Sequence, residues 1–210
     1  ERNDNMRTAV YPGSFDPITN GHLDVLQRSL GVFDHVILLL AVNPSKKGNF
    51  SIEERLEMMK EATTQFPHVS VDFNPGLTVD YCKKHHANHI IRGLRAVTDF
   101  EYEFQLAAAN RFAGPDIDMV FFMSGRETTF ISSSTINEMQ LEGVDISPLV
   151  PPVVVEYYQK KKKEWLVLLA KRIVDLHGAV FPFCLFVDLF FELGIFDFLI
   201  DSLSFFLVVV

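Results

Sequence analysis

The sequence is poor in cysteine and in positive charge, and both shortages exclude classes of protein. Cys82 and Cys184 are the only cysteines among 210 residues and form no CxxC pair, which argues against a disulfide framework or a zinc–cysteine site. Lysine and arginine number 19 against 27 aspartates and glutamates, a net charge of −8. This balance argues against a nucleic-acid-binding protein that acts by broad phosphate neutralisation, because such binding needs clustered positive charge. An enzyme acting on nucleotides stays open, since it needs only a few local cations.

Long uncharged apolar runs are absent as well. No run reaches the roughly 18–20 residues of a simple membrane-spanning helix, and the polar start Glu1–Asn5 lacks the apolar stretch of a secretory signal. Hydrophobic residues make up 48% and charged residues 22% of the chain, a balance typical of a globular protein with a substantial core. Together with the scarce cysteines, these features predict a cytoplasmic protein, with Met6 as a candidate native start.

Apolar runs alternate with helical patterns from residue 7 to about residue 163. The run His35–Val42 is almost continuously apolar, as expected of a parallel strand covered on both faces. Ser51 followed by Glu54 is typical of a capping box at a helix start. The repeated strand–helix order predicts an α/β fold with a Rossmann-like parallel sheet flanked by helices. The other predicted strands are Arg7–Tyr11, Val69–Phe73, Asn88–Arg92 and Asp118–Met123, and the other predicted helices are Gly21–Leu30, Thr78–His86, Thr98–Phe112, Ser132–Leu141 and Val153–Lys163.

The segment Tyr11–His22 directly follows the first predicted strand and carries the strongest chemical signal. Two glycines and two prolines within it impose a shaped turn that leads into a helix near Gly21. The start of a helix presents unpaired N–H groups and positive potential, which suit a phosphate. His22 lies in the first turn of that helix, and Ser14 offers a donor from the other side. The alternative is an ordinary Pro/Gly-rich loop with a surface histidine, which the position at the end of the first strand disfavours.

Cationic residues follow two other predicted strands. Lys46 and Lys47 follow the second strand, where a lysine supplies a mobile point charge for phosphate, although solvated loop lysines are common. Arg92 and Arg95 follow the fourth strand. Their planar guanidinium groups suit phosphate oxygens, and a structural salt bridge is the alternative interpretation.

Polar residues also stand at three predicted helix starts. Capping explains one serine of the run Ser132–Ser134, but not all three. Thr78 is most simply the N-cap of its helix. Asp99 and Glu101 lie in the first turn of another helix, where the helix dipole favours carboxylates. Capping or the helix dipole explains the polar residues at the other two helix starts, so only the serine run indicates a function beyond helix stabilisation.

Taken in order, these motifs resemble those of bacterial phosphopantetheine adenylyltransferases, a family within the nucleotidyltransferase superfamily. Thr19-Asn20-Gly21-His22 is similar to the T/H-x-G-H signature of the superfamily. The likeness continues through Asn43–Lys47, Ile91–Ala96, Asp99–Glu103 and Phe130–Ser134, and spans about residues 6–163. Five motifs in order are far more specific than any one of them. The resemblance implies a nucleotidyltransferase domain over residues 6–163.

The resemblance also implies a role for each matched residue. The catalytic residues would be His22, Lys46 and Arg92. The acceptor, 4′-phosphopantetheine, would be bound by Ser14, Lys46, Thr78 and Arg92. The ATP-binding residues would be Ser14, Phe15, His22, Gly93, Leu94, Arg95, Glu103, Thr128, Thr129, Phe130, Ile131, Ser132, Ser133 and Ser134. Ser124 and Thr128 depart from the family pattern, in which a proline and an aromatic residue are frequent, and this departure concerns the adenine contacts.

The implied reaction is a direct in-line attack by the acceptor's phosphate on the α-phosphorus of ATP, with pyrophosphate leaving. Such reactions depend on positioning and on stabilising the charge of the phosphoryl oxygens. Mg²⁺ is expected to accompany ATP, held mainly by ATP oxygens and water, and no residue is predicted to bind a metal. The expected partners are ATP and 4′-phosphopantetheine, without nucleic acid. The family assembles as homohexamers, so a homo-oligomer is expected by resemblance.

Residues 164–210 match nothing in the family and are predicted to form an apolar, helical C-terminal extension of unknown role. Glu164–His177 fits an amphipathic or largely buried helix. Residues 179–210 then contain nine of the 20 phenylalanines and no lysine or arginine, but four carboxylates interrupt them. Each carboxylate would cost about 2.5–3.5 kcal/mol at the centre of a membrane, so membrane contact is disfavoured. A helical hairpin and a poorly ordered appendage both stay open.

Two other functions stay open at this point. Another nucleotidyltransferase, such as a nicotinate-mononucleotide adenylyltransferase or a cytidylyltransferase, would share the first motif, but Pro44–Lys47 and Arg92–Arg95 favour the pantetheine interpretation. The extension also allows a membrane-tethered or assembly protein that uses the domain as a scaffold. The presence of every charged motif residue argues against an inactive domain.

Overall fold

A computed structural model describes residues 6–42, 48–95, 97–125 and 127–177. Lys46, Lys47 and residues 178–210, on which several predictions fall, lie outside these ranges. The chain divides into two compact units, Glu1–Tyr158 and Gln159–Val210. The first unit contains the sheet. The division into a domain of residues 6–163 and an extension of residues 164–210 stays a prediction.

Five parallel strands form one sheet in the order β3-β2-β1-β4-β5. The strands are β1 (Thr8–Gly13), β2 (His35–Ala41), β3 (Val69–Asn74), β4 (His89–Leu94) and β5 (Asp118–Met123). The predicted Rossmann-like sheet is confirmed, although β1 and β4 each run two residues further than expected. Because the strand order reverses between β1 and β4, a crevice opens at their carboxyl ends, where ligands of such sheets bind.

Six helices lie within the residues that the structure describes. They are α1 (Asn20–Ser29), α2 (Ile52–Ala62), α3 (Thr78–Lys84), α4 (Val97–Ala113), α5 (Ser133–Leu141) and α6 (Pro152–His177). The two helices predicted at 153–163 and 164–177 are one helix, because no glycine or proline separates them. Trp165 and Leu168 in the later part of α6 are exposed, so the largely buried alternative is wrong for them.

No described helix is both long enough and apolar enough to cross a membrane.

The predicted helix caps have two outcomes. The capping box before α2 is confirmed: the Glu54 backbone N–H donates to Ser51 Oγ over 3.1 Å, and the Ser51 N–H donates to the Glu54 carboxylate over 2.7 Å. The N-cap of α3 was assigned to Thr78, and this is wrong. Leu77 is the capping residue, with extended backbone and no side-chain hydrogen bond. Thr78 already has helical geometry, so its hydroxyl is not placed to cap.

Two apolar cores cover the opposite faces of the sheet. One contains Tyr11, Val25, Ile91 and Ile136, and it packs α1 and α5 onto the sheet. The other contains Val10, Ile37, Val79, Cys82 and Ile90, and it packs α3 onto the opposite face. Successive strand residues point to opposite faces, so Tyr11 and Ile91 belong to one core while Val10 and Ile90 belong to the other. The same alternation determines on which face of the sheet each functional side chain of a strand lies.

Candidate active site

The loop between β1 and α1 is fixed by a reciprocal cap. Thr19 is the N-cap of α1, and its hydroxyl accepts a hydrogen bond from the His22 backbone N–H over 3.4 Å. In return, the Thr19 backbone N–H donates to His22 Nδ1 over 3.0 Å. The sequence predicts a phosphate-binding loop here but does not reveal this pairing. The pairing fixes the imidazole at the first turn of the helix.

The same hydrogen bond decides the protonation state of His22. A backbone N–H can only donate, so Nδ1 must accept, and the proton of the neutral ring lies on Nε2. Burial, together with the nearby charges of Arg95 and Arg92, lowers the pKa of His22 to about 4. The ring is therefore neutral at pH 7 and offers Nε2–H as a hydrogen-bond donor.

A cavity of about 410 Å³ lies at the carboxyl ends of β1 and β4. Four walls meet there: the end of β1, the first turn of α1, the end of β4 and the first turn of α5. The residues that line the cavity are Tyr11, Pro12, Gly13, Ser14, Gly21, His22, Val25, Arg92, Gly93, Arg95, Tyr102, Glu103, Ser124, Ile131, Ser132, Ser133 and Ser134. Its position is the crevice expected where the strand order reverses.

Arg92 is held rigidly at the β4 wall. Its Nη2 and Nε donate to the two carboxylate oxygens of Glu103 over 2.5 and 2.8 Å, and its Nη1 donates to the Pro12 carbonyl over 3.3 Å. Glu103 is 6% exposed. Burial would lower the pKa of Arg92, but the hydrogen bonds and charge of Glu103 outweigh it and raise that pKa. Arg92 therefore combines the two interpretations of this arginine segment. It forms a structural salt bridge with Glu103, and it also lines the cavity, where it can contact a phosphate.

Gly93 leaves a bare backbone surface beside Arg92. A Cβ atom at this position would lie 2.9 Å from Val25 Cγ2, closer than real Cβ contacts allow. Val25 belongs to α1, so the close approach of the helix to β4 requires a glycine here. The backbone of β4 therefore forms part of the cavity wall.

The three serines before and within α5 have three different environments. Ser132 is the N-cap, and its Oγ accepts the Thr135 N–H over 3.0 Å. Ser133 Oγ donates to the Pro17 carbonyl over 2.8 Å and so ties α5 to the β1–α1 loop. Ser134 is exposed at the cavity wall. As predicted, capping explains only one of the three.

A second tie joins α1 to the loop that follows β5. Asp24 Oδ2 accepts hydrogen bonds from the Gly125 N–H over 2.8 Å and from the Thr128 hydroxyl over 3.1 Å. Its other oxygen accepts from Arg28 over 2.9 Å. Nothing in the sequence pattern pointed to Asp24. Its carboxylate fixes the loop that carries the predicted nucleotide contacts.

A third set of hydrogen bonds joins the β1–α1 loop to the start of α2 and to the segment before it. Asp16 accepts the backbone N–H groups of Asn49 and Phe50 over 2.7 and 2.8 Å. Arg55, which is 7% exposed, donates to the Ser14 carbonyl over 3.2 Å. The start of α2 and the segment leading into it thus support the loop that presents Ser14.

The structure brings ten of the predicted site residues to the cavity wall. They are Ser14, His22, Arg92, Gly93, Arg95, Glu103, Ile131, Ser132, Ser133 and Ser134. Of the residues that the structure describes, the remaining predicted ones do not line the wall: Phe15, Leu94, Thr78, Thr128, Thr129 and Phe130. Phe15 and Leu94 are buried behind it, and Thr129 donates to the Gly125 carbonyl within its own loop. Lys46 lies outside the described residues. The functional roles of all these residues stay predictions.

Tyr11, Val25 and Tyr102 line the cavity but were not predicted as site residues. Alternation along β1 places Tyr11 on the same face as Gly13, and this signal could have identified it. Val25 and Tyr102 depend on how helices α1 and α4 pack, which no local pattern reports.

The chain is similar to several known proteins. The Cytidylyltransferase-like family matches residues 10–139. A phosphopantetheine adenylyltransferase of Roseiflexus sp. (strain RS-1) is 52% identical over 151 residues, which cover 72% of this chain and 94% of that protein. A protein of the same name from Caldanaerobacter subterraneus subsp. tengcongensis is 46% identical over 151 residues, with the same two coverages. A crystal structure from Vibrio parahaemolyticus, named "Putative Nicotinate-nucleotide Adenylyltransferase", has a TM-score of 0.57 at 19% identity over 72% of this chain and 90% of its own, and shows a shared fold.

Proposed function

Because the chain belongs to the phosphopantetheine adenylyltransferase family of nucleotidyltransferases, we propose that its cavity binds ATP together with 4′-phosphopantetheine. The enzyme transfers the adenylyl group of ATP to the acceptor's phosphate, which gives dephospho-coenzyme A and pyrophosphate. One observation carries the assignment of the site: two helix starts and the neutral His22 face Arg92 across a single cavity. A triphosphate and a second phosphate can therefore meet there.

The triphosphate fits the side of the cavity formed by α1 and α5. The first turns of both helices line the cavity, and a helix start favours an anion through its free N–H groups and its dipole. His22 Nε2–H adds a donor that carries no charge. A neutral donor can follow the charge that develops on the phosphoryl oxygens without having to gain or lose a proton.

The acceptor's phosphate fits the Arg92 side. Glu103 takes two of the guanidinium donors, and the Pro12 carbonyl takes a third. The fork of an arginine has five N–H donors, so two stay available for a phosphate. The attacking oxygen then approaches the α-phosphorus in line with the leaving pyrophosphate, and catalysis consists of positioning and charge stabilisation.

Lys46 is proposed as a further cation for the phosphates of both substrates, on the strength of the motif alone. Mg²⁺ is proposed to arrive with ATP, held by its phosphate oxygens and by water. Within the described parts of the chain, no group of three or more His, Cys, Asp or Glu side chains fits a metal ion. We therefore assign no residue to the metal and derive no step through it.

A homo-oligomer is proposed from the surface of α4, and the hexamer is proposed as its form from the family resemblance alone. Phe100, Phe104 and Phe112 are 52%, 64% and 92% exposed in the single chain. Large exposed aromatic side chains on one helix are typical of a surface that another subunit covers. Light scattering would report six times the 23.9 kDa chain mass for the hexamer.

A cytoplasmic location is proposed as well, since ATP is a substrate and Cys82 is a free buried thiol.

The function is tested by assaying pyrophosphate release by the full-length chain with ATP and 4′-phosphopantetheine. Nicotinate mononucleotide replaces the acceptor in a second arm, and CTP replaces ATP in a third. We expect turnover only in the first arm, with dephospho-coenzyme A identified as the product by mass spectrometry. Equal or faster turnover in another arm would assign a different nucleotidyltransferase activity, and no turnover in any arm would favour a scaffold role.

A further inference from the structure

Tyr11 places a hydroxyl group at the cavity without giving it a partner in the protein. The residue is 5% exposed and lines the cavity. No hydrogen bond joins its Oη to the parts of the chain that the structure describes. Every fully buried polar side-chain atom among these residues has a partner. The hydroxyl must therefore be the part of Tyr11 that reaches the open space of the cavity.

The ring of Tyr11 is fixed by its neighbours. It meets the ring of Phe15 edge-on with 5.7 Å between centroids, and Phe15 meets the His22 ring in the same way at 5.0 Å. The three rings form a packed series that runs from β1 to the first turn of α1. Tyr11 is thus held in place before any ligand arrives, which lowers the entropic cost of a hydrogen bond to that ligand.

The hydroxyl lies beside the bare backbone of Gly93. A Cβ atom built on Gly93 would be 3.9 Å from Tyr11 Oη and 2.9 Å from Val25 Cγ2. No side chain can enter this space from β4. A ligand that lies along the Gly93 backbone therefore comes within reach of the Tyr11 hydroxyl.

The substrate that comes within reach of the Tyr11 hydroxyl can be inferred from the face of the sheet on which Tyr11 lies. Tyr11 belongs to the same core as Ile91, Val25 and Ile136, on the face covered by α1 and α5. Gly93 follows Ile91 by two residues and so lies on this face as well. Arg92 lies on the opposite face, where it pairs with Glu103 of α4. The hydroxyl thus shares its face with the two helix starts that favour a triphosphate.

We propose that Tyr11 is a further nucleotide-binding residue, whose hydroxyl donates a hydrogen bond to an oxygen of the sugar–phosphate part of ATP. The proposal rests on the function proposed above and adds to it a further residue that contacts the nucleotide. Burial raises the pKa of the Tyr11 phenol. At neutral pH the group is consequently an O–H donor rather than a phenolate that would repel phosphate.

The test compares Tyr11→Phe with Tyr81→Phe in the full-length chain. Tyr81 provides a matched control, because its hydroxyl donates to Asp72 over 2.6 Å and lies outside the cavity wall. We expect Tyr11→Phe to weaken ATP binding about 3- to 10-fold if a ribose oxygen accepts the hydrogen bond, and about 10- to 100-fold if a charged phosphate oxygen accepts it. The KM for 4′-phosphopantetheine and the melting temperature should stay unchanged. Tyr81→Phe should lower the melting temperature and leave ATP binding unchanged.

Calorimetry with ATP, and separately with tripolyphosphate, identifies the oxygen that accepts. Weaker binding of both ligands by Tyr11→Phe indicates a phosphate oxygen, and weaker binding of ATP alone indicates the ribose. Unchanged binding of both, or a rise only in the KM for the acceptor, would overturn the proposal. These binding measurements need no turnover, so they separate a failure of the Tyr11 proposal from a failure of the proposed reaction, which the wild-type assay reports.

Discussion

The two sides of the cavity present hydrogen-bond donors in different ways. On the α1 and α5 side, the donors are helix N–H groups, the neutral His22 ring and the Tyr11 hydroxyl. On the β4 side, the donor is the charged guanidinium group of Arg92, held by a buried carboxylate, and Arg95 adds a second cation just after the strand. The donors of the first side carry no net charge and come from several groups, whereas those of the second side are charged guanidinium groups, of which Arg92 is fixed by Glu103.

This difference fits the two anions that the site is proposed to bind. A triphosphate has many oxygens, its negative charge changes position during the reaction, and dipoles that are fixed in advance stabilise it without reorganising. The acceptor's phosphate must instead be held in one orientation for in-line attack. A guanidinium group fixed by Glu103 does this through geometry. The following predictions test the comparison, beginning with the largest expected effect.

His22→Ala should lower kcat about 10²–10³-fold, the usual effect of removing one donor to a developing oxyanion. The fold should persist, because the Thr19 hydroxyl can still cap α1. The measurement is steady-state kinetics together with circular dichroism. His85→Ala serves as the matched control, since His85 stacks on Tyr81 away from the cavity. Near-normal turnover of His22→Ala would contradict the role given to the imidazole.

Arg92→Lys should raise the KM for 4′-phosphopantetheine about 10- to 100-fold and change the KM for ATP little. Lysine keeps the charge but loses the planar fork, and a hydrogen bond to a charged group contributes about 1.5–3 kcal/mol. Arg111→Lys is the matched control, because Arg111 forms only an exposed pair with Asp118. An equal rise in both KM values for Arg92→Lys would show that the two sides of the cavity are not separate.

Asp24→Ala should raise the KM for ATP about tenfold and leave the KM for the acceptor unchanged. The substitution frees the Gly125 N–H and the Thr128 hydroxyl, and each net hydrogen bond contributes about 1 kcal/mol. Asp80→Ala, an exposed helical position on α3, controls for the loss of one carboxylate. If the KM for 4′-phosphopantetheine changed instead, the loop after β5 would support the binding of the acceptor rather than of ATP.

The pH dependence should show the smallest effect. Because the pKa of His22 is lowered to about 4 from 6.5, kcat/KM for ATP should show no inflection from His22 near pH 6.5. The unfolded chain binds this proton between pH 6.5 and about 4, whereas the folded chain does not. The stability that His22 contributes is therefore fully present above pH 6.5 and is lost as the pH falls toward 4.

NMR titration of the His22 ring protons measures this pKa directly. A midpoint near 6.5 in the free enzyme would mean that burial and the charges of Arg95 and Arg92 do not depress this pKa, and that a fraction of the enzyme carries a cationic imidazole at neutral pH.

Much of the fold could be predicted from the sequence. The continuous apolar run of β2 marked a strand covered on both faces, and Ser51 with Glu54 marked the start of α2. These signals are local, because a strand period or a cap depends on residues a few positions apart. The prediction for Thr78 failed because the cap position is set by where the chain turns, and the turn places the apolar Leu77 there, one residue before Thr78.

The sequence by itself determined the order of elements, the parallel sheet, the loop before His22 and the family to which the motifs point. Only the tertiary structure decided the protonation state of His22, the pairing of Arg92 with Glu103 and the position of the Tyr11 hydroxyl beside Gly93. The physical reason is distance along the chain. Glu103 lies on a helix after β4, and Gly93 is 82 residues beyond Tyr11. Such contacts form only when packed helices and strands bring distant residues together, and no local period reports them.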